Sequence, residues 1–261
     1  LVSANAVCAQ AQAPATQEFK PTVGQSGKDV VWVPSPQALV DKMLDMARAK
    51  PGDFVMDLGS GDGRTVITAA KRGARAMGVE YNPDMVALSR RNAAAAGMGD
   101  KATFVQADIF QTDLSQATVI TLFLLTELNL KLRPTLLSLK PGTRIASNTF
   151  KMGEWEPDQL FELGCDTYCT AYLWIVPARV AGKWQFAEGE LTLNQEFQKI
   201  TGTLKTGASP IQISGGRLRG DEISFAAGST QYRGQVQPEE REILGTATNG
   251  GNTVIWTPRR L

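Results

Sequence analysis

Residues 54–66 read FVMDLGSGDGRTV. The apolar run FVMDL passes into Gly59, Gly61 and Gly63 on alternate positions, and helix-forming residues follow from Arg64. A strand that runs through glycines into a helix aims unpaired backbone amides at the space above its C-terminal end. Glycine there lets a ligand approach the main chain closely. A dinucleotide fingerprint spaces its glycines G-x-G-x-x-G, whereas here the third glycine falls one residue early, and no Gly-Lys-Ser/Thr of a P-loop follows. Asp57 and Asp62 flank the turn, so it repels a pyrophosphate and suits a ligand that carries positive charge.

Outward from this turn, residues 34–150 alternate between the two periodicities. SPQALVDKMLDMARAK, RTVITAAKRG, NPDMVALSRRNAAAAG and TELNLKLRPTLLSL have helical spacing. Asn82 is placed to cap the third of these helices, with Pro83 at its first position. RAMGVE, ATFVQAD, ATVITLFLL and TRIASNTF read as strands between them. The fold class this predicts is α/β, a Rossmann-like doubly wound parallel sheet covered on both faces. After Val176 the texture changes to short alternating runs broken by glycine, from GKWQFA to NTVIWTPRR, which predicts a small antiparallel β sandwich or barrel. The expected domains are residues 29–177 and 178–261, preceded by a flexible linker over 1–28. Trp184 and Trp256 are expected in the core of the second unit, and Arg90 and Arg91 on a solvated helix face.

Composition narrows the chemistry. The chain has 261 residues, 43% of them apolar, with a net charge of +1 and no long basic run, so a phosphate-tracking nucleic-acid surface is not expected. Histidine is absent, which excludes imidazole-based nucleophile systems and HExxH zinc sites, and no metal site is expected. Ala9-Gln10-Ala11 matches the small-x-small pattern before a signal-peptidase cut, so the first residues read either as the remnant of a secretory leader or as a flexible tail. The former places the protein in the periplasm, the latter in the cytoplasm. Cys8 sits in a poor lipid-attachment box. Cys165 and Cys169 either bridge in an oxidising compartment or remain two thiols.

The acidic positions converge on one ligand. Glu80 ends the second strand, where a carboxylate can grip both ribose hydroxyls, and Asp108 ends the third, where it can accept from an exocyclic amine. Together with Asp57 and Asp62 they describe a nucleoside with a cationic, amino-acid-like tail. The segments VMDLGSGDGRTV, GVEYNP and FVQADIF, in this order and spacing, resemble the class I S-adenosylmethionine-dependent methyltransferases over residues 30–176. They are most similar to bacterial and archaeal relatives of the mitochondrial ATP-synthase c-subunit lysine methyltransferase. The resemblance implies S-adenosyl-L-methionine as cofactor, with Asp57, Gly59 and Gly61 at the methionine moiety, Glu80 at the ribose and Asp108 at the adenine. Ser60, Asp62, Tyr81 and Ile109, neighbours within the same motifs, complete the expected cofactor set. Val33 to Pro36 are expected to close over it. Gln111 stands where those relatives carry lysine, and they lack the glycine-rich β unit.

Methyl transfer needs a neutral nucleophile held in line with the methyl carbon. Thr126, Glu127 and Asn148, after the fourth and fifth strands, are the expected catalytic candidates, with Trp155 as a wall of the acceptor site. Two functions stand open. One is a methyltransferase acting on an unidentified acceptor, a protein lysine or a small molecule, with the β unit helping to present it. The other is a catalytically silent cofactor-binding module whose β unit attaches to an envelope or protein partner.

Overall fold

The computed structural model describes residues 18–261; Cys8 and the Ala9-Gln10-Ala11 stretch lie outside the described residues. The first unit comprises α1 (Gln37–Met46), β1 (Phe54–Leu58), α2 (Arg64–Lys71), β2 (Arg75–Glu80), α3 (Pro83–Ala95), β3 (Ala102–Gln106), β4 (Val119–Leu122), α4 (Thr126–Leu137), β5 (Arg144–Asn148), β6 (Gln159–Glu162) and β7 (Thr170–Ile175). Its strands form one seven-stranded sheet in the order β3-β2-β1-β4-β5-β7-β6. β3, β2, β1, β4 and β5 are parallel, and β7 runs antiparallel to both its neighbours.

Both faces of this sheet are apolar because successive strand residues point to opposite sides. Val55, Val119 and Ala146 pack with Leu39, Val66 and Val86 from α1, α2 and α3 on one face. Met56, Ile120 and Ile145 pack with Leu132 and Leu136 of α4 on the other. Asn82 caps α3, its Oδ1 accepting from the Asp84 amide at 2.9 Å. Asp53, just before β1, is buried and takes the Arg144 guanidinium, which also donates to the Ala47 carbonyl at 2.8 Å and so anchors the end of α1. Arg90 and Arg91 lie on the exposed face of α3, as expected, and Arg90 also donates to the Phe104 carbonyl at 2.7 Å, tying α3 to β3. Arg91 pairs with Glu18 at 3.0 Å.

The second unit holds β8 (Gly182–Phe186), β9 (Gly189–Glu196), β10 (Lys199–Lys205), β11 (Ile211–Arg219), β12 (Glu222–Ala227), β13 (Thr230–Val236), β14 (Ile243–Asn249), β15 (Asn252–Trp256) and β16 (Arg259–Arg260). These make a single curled antiparallel sheet, a half-barrel, rather than two sheets packed as a sandwich. Inward-facing residues fill it: Trp184 is fully buried, and Trp256 stands edge-on to Phe225 and Tyr232. NTVIWTPRR, which reads as one run, divides at Thr257-Pro258. β16 then leaves β15 to pair with β8 at the other edge, while the Ile243 amide donates to the Pro258 carbonyl at 3.0 Å. The half-barrel docks on the segment leading into β6: Phe197 stacks on Trp155 at 6.1 Å, and Arg217 pairs with Asp158 at 2.8 Å.

Candidate active site

A cavity of about 540 Å³ lies above the C-terminal ends of the parallel strands. Asp57, Gly59, Ser60, Gly61, Asp62, Glu80, Tyr81, Asp108 and Ile109 all line it. The glycine turn is built by backbone bonds to the neighbouring strand, with the Gly59 and Ser60 amides donating to the Val79 carbonyl at 2.8 and 3.1 Å. Gly63 has φ 83° where a side chain is disfavoured, and a Cβ there would meet Phe104 at 2.7 Å. Sterics as well as backbone freedom therefore require glycine at that position.

Glu80 does end β2, as expected. One of its carboxylate oxygens accepts from the Gly61 amide at 3.0 Å and the other from the Asn82 amide at 3.0 Å, so the side chain is held at the cavity rim before any ligand arrives. Asp57 is 7% exposed and accepts from the Thr121 hydroxyl at 2.6 Å. Removal from water pushes its carboxyl up to about 7 against the help of Thr121, and the nearby Glu80 and Asp62 carboxylates add to the rise. Asp62 is held differently, in a fork from Arg64, whose other nitrogen donates to the Ser35 carbonyl at 2.7 Å. Asp108 lies two residues beyond the end of β3 rather than at its last position. It takes Lys28 at 2.7 Å and the Phe110 amide at 2.9 Å, and these bonds, Lys28 first, hold its carboxyl below the usual carboxylate range.

The covering segment is longer than the expected Val33 to Pro36. Residues 25–35 all line the cavity, and Pro36 does not. Within this strap Ser26 bridges to Val31, and the Trp32 amide donates to the Gln25 carbonyl at 2.9 Å. The Trp32 indole lies directly over Gly61, within 2.7 Å of where a Cβ would stand. Sequence reasoning missed Lys28 and Trp32, because a short strap without helix or strand periodicity carries no pattern from which its position can be read.

The expected acceptor residues sit elsewhere. Thr126 and Glu127 open α4 but do not line the cavity; their neighbours Leu125 and Leu128 do. Asn148 is fully buried beneath the strap, its amide donating to the Ser35 hydroxyl at 3.0 Å and its carbonyl accepting from Thr149, so it supports the strap rather than facing the cavity. Trp155 is fully buried between Trp174 and Phe197 and forms no wall of this site. The cavity is instead completed by Phe123, Phe150 and Tyr168, whose rings contact one another. Cys165 and Cys169 form a disulfide, with α-carbons 5.7 Å apart, across the loop that carries Tyr168. Among the described residues, no residue of the half-barrel lines the cavity, so the expected role of the β unit in presenting the acceptor finds no contact here.

Residues 57–159 match the model of the ANTKMT methyltransferase domain. The chain is 39% identical over 151 residues to a protein-lysine N-methyltransferase of Saccharolobus islandicus, covering 94% of that protein and 56% of this chain. The chain belongs to this family of S-adenosylmethionine-dependent methyltransferases. It is also 34% identical over 140 residues to the ATP-synthase c-subunit lysine N-methyltransferase of Xenopus laevis, spanning 62% of that protein and 53% of this chain. A solved structure described as an RNA methyltransferase from Salinibacter ruber in complex with S-adenosyl-L-homocysteine is 47% identical, with a TM-score of 0.54 over 57% of this chain and 96% of that one. No relative found favours the silent binding module.

The residues present fit the cofactor of the methyltransferases. Carboxylates at or just beyond the ends of β1, β2 and β3 give a negative rim for a cationic ligand, and glycine at positions 59 and 61 keeps side chains off the turn, over which the Trp32 indole lies. Asp57 would face the methionine end, Glu80 the ribose and Asp108 the adenine.

Proposed function

We propose that this methyltransferase transfers the methyl group to a lysine amine of a protein. One observation carries the reading: the cavity is divided by composition. Its carboxylates stand at or just beyond the ends of β1, β2 and β3 and, with Asp29, in the strap, whereas the part beside β4, β5 and β7 is made of Phe123, Leu125, Leu128, Phe150 and Tyr168, without a charged group among them. A long alkyl chain ending in an amine suits such a throat. The protein-lysine methyltransferase relative supports the same acceptor.

Bound above the glycine turn, S-adenosylmethionine would supply an electrophilic methyl carbon on a sulfonium; the lysine ammonium first loses a proton to water, and the neutral amine then takes the methyl in line, giving a methylammonium and a thioether. The protein's own part is positional. Glu80, locked by two amides, orients the ribose, and the strap with Trp32 excludes water from above. A lysine ammonium has an ordinary pKa near 10.4, and beside the aliphatic Leu125 and Leu128 of the throat desolvation favours its neutral form. Histidine is absent from the chain, so no imidazole base takes the proton.

In this reading residues 29–177 carry the chemistry and 178–261 form an appended unit. The Cys165–Cys169 disulfide supports an oxidising compartment, and with it export, as the protein's location. The test is incubation with methyl-labelled S-adenosylmethionine and two acceptor pools, tryptic-size lysine peptides and total RNA, followed by mass spectrometry. Label on lysine ε-nitrogen supports the proposal. Label confined to RNA, the acceptor class named for the Salinibacter ruber protein, overturns it.

A further inference from the structure

We infer that Phe123, Phe150 and Tyr168 form an aromatic seat for the acceptor's ammonium group, and that the Cys165–Cys169 disulfide is what holds its third ring in place. The inference rests on the lysine reading above and deepens it.

The three rings come from three separate places, the end of β4, the turn after β5 and the loop between β6 and β7. Their centroids lie 6.1 Å (Phe123 to Phe150), 5.3 Å (Phe123 to Tyr168) and 6.2 Å (Phe150 to Tyr168) apart. All three line the cavity, and Tyr168 is 39% exposed, so its ring is open to a ligand. Rings this close leave no room for a cation between them. A cation on the cavity side of the triangle formed by their centroids lies within about 6 Å of each, the range over which ring quadrupoles attract an ammonium.

Two of the rings are delivered by strained backbone. Tyr168 has φ 57°, and Thr149, the residue before Phe150, has φ 61°. Left-handed backbone is a genuine outlier for a bulky or β-branched side chain and persists only where surrounding structure over-determines it. Here that structure is visible. The Thr149 amide donates to the Thr170 carbonyl at 2.7 Å, which binds one turn to the other, and the disulfide spans the four-residue step around Tyr168. A loop that only connects two strands needs neither device.

Such a seat would hold the acceptor's ammonium between successive transfers. Each transfer leaves the nitrogen cationic and more methylated, and a ring face attracts methylated ammonium without requiring N–H donors.

The experiment titrates Nα-acetyl-lysine methylamide, its ε-trimethylated form and the uncharged Nα-acetyl-norleucine methylamide into the full protein saturated with S-adenosylhomocysteine, by calorimetry. The wild type is expected to bind the two cations more tightly than norleucine by about 5-fold to 30-fold, the weight of a partly desolvated cation–π contact. Tyr168→Leu keeps bulk and loses the ring, and is expected to remove most of that preference. Tyr168→Phe is expected to retain it. Cys165→Ser combined with Cys169→Ser, or the wild type in dithiothreitol, is expected to weaken cation binding toward the Tyr168→Leu value with S-adenosylhomocysteine affinity unchanged. Full cation preference in Tyr168→Leu, alongside normal lysine methylation, overturns the seat and leaves the lysine reading standing. Full preference after the cysteine changes overturns the disulfide's part alone. Equal binding of cation and norleucine by the wild type, with no lysine product, overturns both.

Discussion

Replacing Asp57 by asparagine is expected to stabilise the cofactor-free protein while weakening cofactor binding. The carboxyl is pushed up to about 7 in the folded chain from an ordinary 3.8, so the folded state holds its proton more tightly than the unfolded state does. Stability from this source is therefore fully present below about pH 4 and is lost as pH rises through 7. A rise from 3.8 to about 7 at about 1.36 kcal/mol per pH unit corresponds to roughly 4 kcal/mol lost by pH 8. Asparagine keeps the size and can still accept from Thr121, but it has no charge to desolvate. The difference in melting temperature between Asp57→Asn and wild type should grow with pH, from its smallest value near pH 4 to about 10 °C at pH 8. Differential scanning calorimetry from pH 4 to 8 measures it, and taking the difference between the two proteins cancels the titrating groups that do not interact with Asp57; Glu80 and Asp62 are the two that do. Saturating S-adenosylmethionine should reverse the order at pH 8, because its positive charge favours the ionised carboxylate only in the wild type. A difference that stays flat with pH, or a variant less stable than wild type at pH 8, would refute the account of Asp57 as a carboxylate kept at a cost for its ligand.

Glu80→Ala orphans the Gly61 and Asn82 amides and removes the ribose grip, so calorimetric affinity for S-adenosylhomocysteine should fall at least about 10-fold, the weight of one charge-assisted hydrogen bond. Of the five tryptophans, four are at most 3% exposed and only Trp32 is in the strap, so ligand binding should change intrinsic fluorescence and Trp32→Phe should abolish that change. Arg144→Met leaves Asp53 buried without its partner and should cost about 3 kcal/mol or more in denaturant titration at pH 7. Adding Asp53→Leu to that variant should recover much of the loss.

The α/β layout was legible because each of its elements announces itself locally. Asn82-Pro83 starts α3, glycines end β1, and apolar runs too uniform for one-sided strands mark the buried sheet. The cofactor end of the site was legible for the same reason, since Asp57, Glu80 and the glycine turn sit at fixed offsets from strand ends. The acceptor end was not. Phe123, Phe150 and Tyr168 lie 27 and 18 positions apart in the chain and meet only through tertiary packing. Thr126, Glu127 and Asn148 have suitable chemistry and nearly suitable positions, yet a step of one or two residues along a turn moves a side chain from cavity to core or to solvent. Trp155 went to the core because Phe197, far away in sequence, covers it.

The reversed direction of β7 has a consequence for how such a protein can be enlarged. Ile175 at its end lies beside Arg144 at the beginning of β5, so the chain leaves the sheet at the pole opposite the cavity. Anything joined to that exit starts life at a distance from the reacting atoms. A β7 parallel to its neighbours would have delivered the next segment into the mouth of the site, where each added residue competes with substrate. The antiparallel strand thus acts as a rear port, through which new sequence can be acquired, kept or discarded without retuning the chemistry at the front.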